Sequence, residues 1–288
     1  MMRPLILLGL VLLSGCMPPT ANPHYELGQP YQVNGVWYYP RESYDLTDTG
    51  LASVYGGGHA ALTSDGEVFD ASQVMAGHPT IQLPAVARLT NLENGRSMLV
   101  RINDRGNGMP NRLVQVTRRT AVLLGMEQAG ATRVRLQVLP EESRAAADAM
   151  PNRPRLDLAV APRGVVTATA LPPPPGVREV PGHASGTATV VAPENPQVAL
   201  ARLPETVTQD APNPGRLWVR LDTFEDYQYA AVQRARMSAR GAAIEASFDG
   251  RVHRFWVRIG PMDSVRQADD ILAEALSYGI PDARIVVE

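Results

Sequence analysis

The hydrophobic positions of the chain fall into three regimes. From Gly50 to Leu139 they come in short runs, LASVY, VARLTNL, SMLVRI, RLVQVT and VRLQVL, separated by turn clusters such as Glu93-Asn94-Gly95 and the stretch from Asn103 to Gly108. Runs of that length between turn residues read as strands, and many short strands in one domain point to a barrel, whose closure leaves no exposed edge. A single short helix interrupts them, with Thr117 as its N-cap and Gly125 closing it after Ala121 to Leu124. From Gly215 a second pattern begins. LWVRLDTF is a strand, Glu225 to Arg240 a helix with Ala231, Val232, Ala235 and Ala239 inward, and Gly241 its end. AAIEASF and RFWVRIGPM are strands joined by the turn pair Asp249-Gly250. Ser264 with Gln267 forms a capping box for a helix that lines up Val265, Ala268, Ile271, Leu272, Ala275 and Leu276, and ARIVV is the last strand. The order βαββαβ predicts a ferredoxin-like α+β unit with both helices on one face of an antiparallel sheet.

Strand alternation then sorts that sheet into two faces. Leu217, Val219 and Leu221, like Phe255, Val257 and Ile259, point toward the helices, which leaves Trp218, Arg220, Trp256 and Arg258 on the free face as a candidate binding platform. Between the two patterned regions no period survives. Residues 140–214 carry 14 of the chain's 25 prolines and no aromatic residue, so they read as a linker, apart from a weak helix over Glu141 to Met150. Ahead of the barrel, YELGQPYQVNGVWYYPRESY holds Tyr31, Trp37, Tyr38 and Tyr39, too many large side chains for a free tether. It predicts a segment packed on the barrel, with a hairpin at Asn34-Gly35.

Composition changes the picture in two places. A formal net charge of −2 gives no bulk attraction for nucleic acid. The single cysteine excludes an internal disulfide and a Cys-based zinc site, and directs attention to where it stands. MMRPLILLGLVLLSGC has Arg3, an apolar run from Leu5 to Leu13 and then Leu-Ser-Gly before Cys16. The run is too short for a bilayer core of about 30 Å, and it matches a lipoprotein signal peptide with Cys16 as the lipidated residue. Met17 after the cysteine directs the expectation to the periplasmic face of the outer membrane.

Three polar residues in turn-rich settings carry the candidate chemistry: Glu67 in TSDGEVFD, His78 in MAGHPT and Asp104 in RINDRGNG. Paired carboxylates are what glycoside cleavage needs, one of them giving its proton to the leaving oxygen. The same sequences are also ordinary turns, in which Asp bonds its own backbone, and Asp104 has Arg101 and Arg105 as potential partners.

The segments ASVYG, HAALTSDGEVFD, HPTIQLP, VARLTNLENGRS and VRINDRG, in that order, resemble the double-psi β-barrel domain of the rare lipoprotein A (RlpA) family of septal lytic transglycosylases. The family's catalytic Glu, His and Asp fall on Glu67, His78 and Asp104. Departures from the family pattern are Val54 for its tryptophan, His59-Ala60 for His-Gly, Ser64-Asp65 for Ala-Asn, and Gln115 where a second acid is common. The lipobox and the domain order also match, and the last unit resembles a SPOR domain. The resemblance implies this division of the chain: signal peptide 1–15, lead segment 16–49, all-β double-psi barrel 50–139, Pro-rich linker 140–214, and a SPOR unit 215–288 that binds peptidoglycan strands stripped of stem peptides. It further implies cleavage of the MurNAc-GlcNAc bond by the substrate's own C6 hydroxyl, giving a 1,6-anhydro product with no cofactor or metal, enrichment at the division septum and possible divisome partners. In the roles expected, Asp104 is the acid-base residue, Glu67 stabilises oxocarbenium character, and His78 orients one of them or binds sugar. The rival from another class is a septal envelope lipoprotein that holds glycan without cutting it. RNA binding by the βαββαβ unit is disfavoured by export and by charge.

Overall fold

The computed structural model describes residues 20–57, 61–106, 111–126, 130–154, 203–248 and 250–288. Cys16 with the signal peptide, His59-Ala60, Asp249 and most of the predicted linker lie outside the described residues.

The barrel is a ring of six strands: β3 (Thr47–Val54), β4 (Met75–Gly77), β5 (Ala85–Asn91), β6 (Arg96–Asp104), β7 (Val114–Val116) and β8 (Thr132–Val138). Their order is β4-β7-β3-β8-β5-β6, and β6 pairs back onto β4, which closes the ring. The β3–β7 and β4–β6 pairings are parallel and the others antiparallel. This is the closed all-β barrel that the sequence predicts, and it fits the double-psi class. Strand β4 carried no strand signal, being three residues flanked by polar turns. Apolar positions alternate into a core that includes Leu89, Met98, Val100, Ile102, Val134 and Leu136, each no more than 1% exposed. Burial of such a set supplies the main stabilisation, roughly 1.5–3 kcal/mol for each large aliphatic side chain. Helix α1 (Arg118–Leu124) plugs one end, with the Thr117 side chain accepting from Thr120 N–H and Gly125 capping it in the left-handed conformation.

The lead segment forms a hairpin of β1 (Tyr31–Val33) and β2 (Val36–Tyr38), turned at Asn34 and Gly35 with φ of 50° and 83°. Positive φ at both central positions is why Asn-Gly serves there. The hairpin lies on the barrel: the Tyr31 hydroxyl donates to the Pro79 carbonyl at 2.9 Å, and Tyr25 is buried against Ala147 and Met150. Trp37 and Tyr39, in contrast, stand exposed and stacked on each other.

At the start of the predicted linker the expected helix forms, and at its other described end the chain departs from the coil expectation. Residues from Pro140 to Asp148 form helix α2, packed on β5. Residues 203–214 run along the barrel, where β9 (Thr208–Gln209) pairs with β6 and Arg119 binds Glu205. Their sequence hid this because such a strand is held by its backbone and by polar side chains such as Thr208, whose Oγ1 lies 2.7 Å from Ser97 Oγ.

The C-terminal unit is β10 (Leu217–Phe224), α3 (Tyr227–Arg236), β11 (Ala243–Phe248), β12 (His253–Met262), α4 (Val265–Ser277) and β13 (Arg284–Val287). The four strands form one antiparallel sheet in the order β11-β12-β10-β13. Leu217, Val219, Leu221, Val257, Ala268 and Leu272 are buried together. Three details differ from the sequence reading. The inward residues of α3 are Ala230 and Gln233, continued by Met237, while Val232 is 57% exposed; Asp226 caps the helix through Gln228 N–H, and the phase buries the long Met237 while Ala235 and Ala239 stay exposed. Phe248 pairs with His253, so four residues rather than a two-residue turn connect β11 and β12. Ser264 accepts from Gln267 N–H, but Gln267 reaches back to Asp263 N–H rather than to Ser264.

The unit docks on the barrel. Thr49 exchanges two hydrogen bonds with the Val287 backbone, Arg112 grips Asp269 at 2.8 and 3.0 Å, and Leu51 and Leu92 of the barrel join the unit's apolar cluster. Among the described residues no helix is long and apolar enough to cross a membrane.

Candidate active site

Strand β6 supplies most of the site. Alternation puts Arg101 and Asn103 on one face, and Asp104 follows at the strand end, where an irregularity in the β4 pairing steps from Ile102 directly to Asp104. A tight turn, Thr63 to Glu67, lies across this end. It is closed by Thr63 N–H to Glu67 O at 2.8 Å and Gly66 N–H to Thr63 O at 2.9 Å, and Asp65 N–H ties it to Asn103 O at 3.3 Å.

The turn holds both carboxylates. Asp104 Oδ1 accepts from Ser64 N–H at 2.9 Å and from Ser64 Oγ at 2.7 Å, while Oδ2 accepts from the Tyr55 hydroxyl at 2.9 Å and Gly106 N–H at 3.1 Å. Glu67 Oε1 accepts from Arg101 Nε at 2.8 Å and Nη2 at 2.5 Å, and Oε2 accepts from Asn103 Nδ2 at 2.7 Å. Charge-assisted bonds of this kind fix geometry strongly. Arg101 therefore belongs to Glu67, whereas Arg105 is spent on backbone carbonyls of Ile81 and Leu27, stapling the lead segment to the barrel. The Tyr55 phenol is pushed well above its usual range, first by burial and then by the Asp104 charge and hydrogen bond, so it is a neutral donor.

His78 joins the site by its backbone: its N–H donates to the Asp104 carbonyl at 2.9 Å. Its imidazole is turned away from Glu67. Nδ1 accepts from the N–H groups of Thr80 at 3.2 Å and Ile81 at 3.3 Å, which leaves the proton on Nε2. Burial, reinforced by the Arg105 charge, pushes the ring down to about 3, so it is neutral at any physiological pH. It borders a cavity of about 220 Å³ shared by the lead hairpin, Arg112 and the C-terminal unit. The structure thus gathers Glu67 and Asp104 around one turn, and gives His78 a donor position beside a cavity rather than an orienting bond to Glu67.

Several residues here were not singled out from sequence. Tyr55 and Ser64 bind Asp104, and Arg101 and Asn103 bind Glu67; the last two were visible only as an i, i+2 pair on a strand ending at the candidate acid. Close backbone packing is also part of the site, since a Cβ on Gly77 would lie 2.1 Å from the Tyr55 hydroxyl oxygen. Val54 packs partly buried against the barrel core, and Gln115 is buried, its Nε2 donating to Ser53 Oγ at 3.3 Å. Among the described residues no group of three His, Cys, Asp or Glu side chains could hold a metal ion.

On the far sheet, Trp218, Arg220, Trp256 and Arg258 occupy the face opposite the helices. Arg258 sits 4.0 Å over the Trp218 ring and Arg220 5.3 Å over Trp256, cation–π distances that preorganise both indoles. Glu288 bridges the two arginines.

A profile of the lytic transglycolase family, of the double-psi β-barrel type, matches residues 47–136. The chain is also similar to proteins named endolytic peptidoglycan transglycosylase RlpA. One from Rickettsia felis is 34% identical over 128 residues, 43% of this chain and 56% of the relative. One from Neisseria meningitidis serogroup B is 38% identical over 123 residues, 42% and 52%. One from Helicobacter pylori J99 is 42% identical over 113 residues, 38% and 36%. The chain thus spans between about a third and somewhat over half of the length of these relatives. The matched region contains five strands of the ring, most of β8 and both carboxylates of the site. By its closed barrel and by these matches the chain is similar to the RlpA family over the barrel region.

Proposed function

We propose that the barrel is an endolytic peptidoglycan lytic transglycosylase, a lyase that cleaves the MurNAc-GlcNAc bond of glycan strands free of stem peptides. The observation that carries this reading is the seating of two carboxylates, Asp104 and Glu67, on the two sides of one five-residue turn at the barrel's end, each with its oxygens already fixed by donors. The family names of the relatives support the same activity.

In the proposed reaction Asp104 gives a proton to the glycosidic oxygen, and the anomeric carbon acquires oxocarbenium character. The C6 hydroxyl of the same MurNAc attacks that carbon and returns its proton to Asp104, so the carboxyl ends as it began. The donors around Asp104 favour the carboxylate and suit the proton-accepting half of this cycle. The donating half requires substrate to change that donor set, whose two hydroxyls, on Ser64 and Tyr55, can rotate. Glu67, paired with Arg101, places negative charge near the developing cation. Neutral His78, with its proton on Nε2, donates to a sugar oxygen.

The C-terminal unit is proposed to be a ferredoxin-like SPOR domain that brings the enzyme to denuded septal glycan through Trp218, Arg220, Trp256 and Arg258. Its βαββαβ order and central pair β10–β12, which carry all four residues, support this. Lipidation at Cys16, residence at the periplasmic face of the outer membrane and divisome partners complete the proposal. Incubation of the protein with peptide-free glycan strands, followed by mass spectrometry, tests the activity: 1,6-anhydro-MurNAc ends are expected, and strands bound but uncut would identify a glycan-holding lipoprotein.

A further inference from the structure

Asp65 takes no part in that mechanism, yet its environment is the most unusual in the site. It is 0% exposed. Its Oδ1 accepts from Thr63 Oγ1 at 2.7 Å and Glu67 N–H at 3.3 Å, but buried Oδ2 has no hydrogen-bond partner among the described residues. Asn103 Oδ1, on the strand to which Asp65 N–H is tied, is buried and equally without a partner. Two orphaned acceptors stand in one small region while the other end of the same amide, Asn103 Nδ2, holds Glu67. Buried polar atoms are rarely left so, and two acceptors cannot satisfy each other unless one carries a proton.

We propose that Asp65 is carried as a neutral carboxylic acid whose Oδ2–H donates to Asn103 Oδ1, locking that amide so that its Nδ2 faces Glu67. Asp65 is then a positioning residue, and it and Glu67 hold one negative charge between them. The groups facing Asp65 agree. Glu67 lies in its own turn and is already paired with Arg101 of β6; Asp104 at the end of β6 is reached through Ser64; and from the lead segment His24 contributes its backbone N–H to Asp65 O at 2.8 Å. A second ionised carboxylate at 0% exposure would add charge beside Glu67 with Arg101 already engaged. Burial, followed by the charge of Glu67, pushes Asp65 up to about 7, with Arg101 and the Thr63 bond acting in the other direction. A protonated Asp65 presents a one-donor, one-acceptor edge like that of an amide.

Positioning for transglycosylation rests on the proposed activity, but the protonation does not, and the tests separate them. The carboxyl carbon of Asp65, followed by carbon-13 NMR in the full chain, is expected to stay protonated below about 7; an ionised signal down to the ordinary Asp range would overturn the proposal whether or not the protein cuts glycan. Asp65→Asn mimics the neutral acid, so its yield of anhydro ends is expected to stay within about threefold of wild type below pH 7 and to exceed wild type above it, while Asp65→Leu falls by at least about tenfold. A loss in Asp65→Asn as large as in Asp65→Leu, in folded protein, would overturn the positioning role. Should wild type yield no anhydro ends, the activity fails alone and the carbon-13 titration still decides the protonation.

Discussion

Asp104, Glu67, Asp65 and His78 show how neighbouring polar groups acquire different states from their surroundings. Four donors hold Asp104, a guanidinium holds Glu67, and Asp65 has a single satisfied oxygen in a place water does not reach. These states make a prediction about stability against pH. Asp65 is raised in the folded chain, so its contribution is full below its ordinary value near 3.8 and is lost as pH rises through about 7. His78 is depressed, so its contribution is present above about 6.5 and is lost as pH falls toward about 3. Melting temperatures of Asp65→Asn are therefore expected to approach those of wild type at acidic pH and to exceed them above neutrality. A constant difference across the range would refute the assignment to Asp65.

At the level of elements, the geometry of the candidate site depends on close backbone packing. Gly77 in β4 allows the Tyr55 hydroxyl to reach Asp104, and any Cβ there would meet that oxygen at 2.1 Å. Gly77→Ala is expected to cut the yield of anhydro ends by at least about tenfold while the barrel still folds, and an unaffected yield would remove Tyr55 from the site. The barrel strands, α1 with both its caps, and α4 with its apolar face were legible in the sequence, because alternation, capping residues and a 3.6-residue period act locally. Strands β4 and β9 were not, since three or two residues held by backbone pairing carry no period. The phase of α3 was misread because alanines suit either face, and the buried positions are Ala230 and Gln233. Glu67 and Asp104 were legible as carboxylates in turns and through the family resemblance. That Asp65 is buried and Asn103 is half-satisfied depends on how a turn seats on a strand far away in sequence, which no spacing records.

On the scale of the whole molecule, a barrel with a preset pair of carboxylates is joined to a sheet whose free face displays two indoles, each covered by an arginine. Removing one indole while keeping the buried aliphatic face intact tests the proposed glycan platform apart from the proposed cleavage site. Trp256→Ala is expected to retain the fold and lose at least about tenfold in binding to denuded glycan, since stacked aromatic anchors dominate such contacts; unchanged binding would move the recognition surface elsewhere. The central claim is that Asp104 transfers the proton in a non-hydrolytic cleavage. Wild type and Asp104→Asn, each confirmed folded, should be incubated with peptide-free glycan strands and the new ends weighed by mass spectrometry. 1,6-Anhydro-MurNAc ends are expected from wild type, with a loss of at least about a hundredfold in the variant. Equal yields from both proteins, or reducing ends produced by water in place of anhydro ends, would contradict that claim.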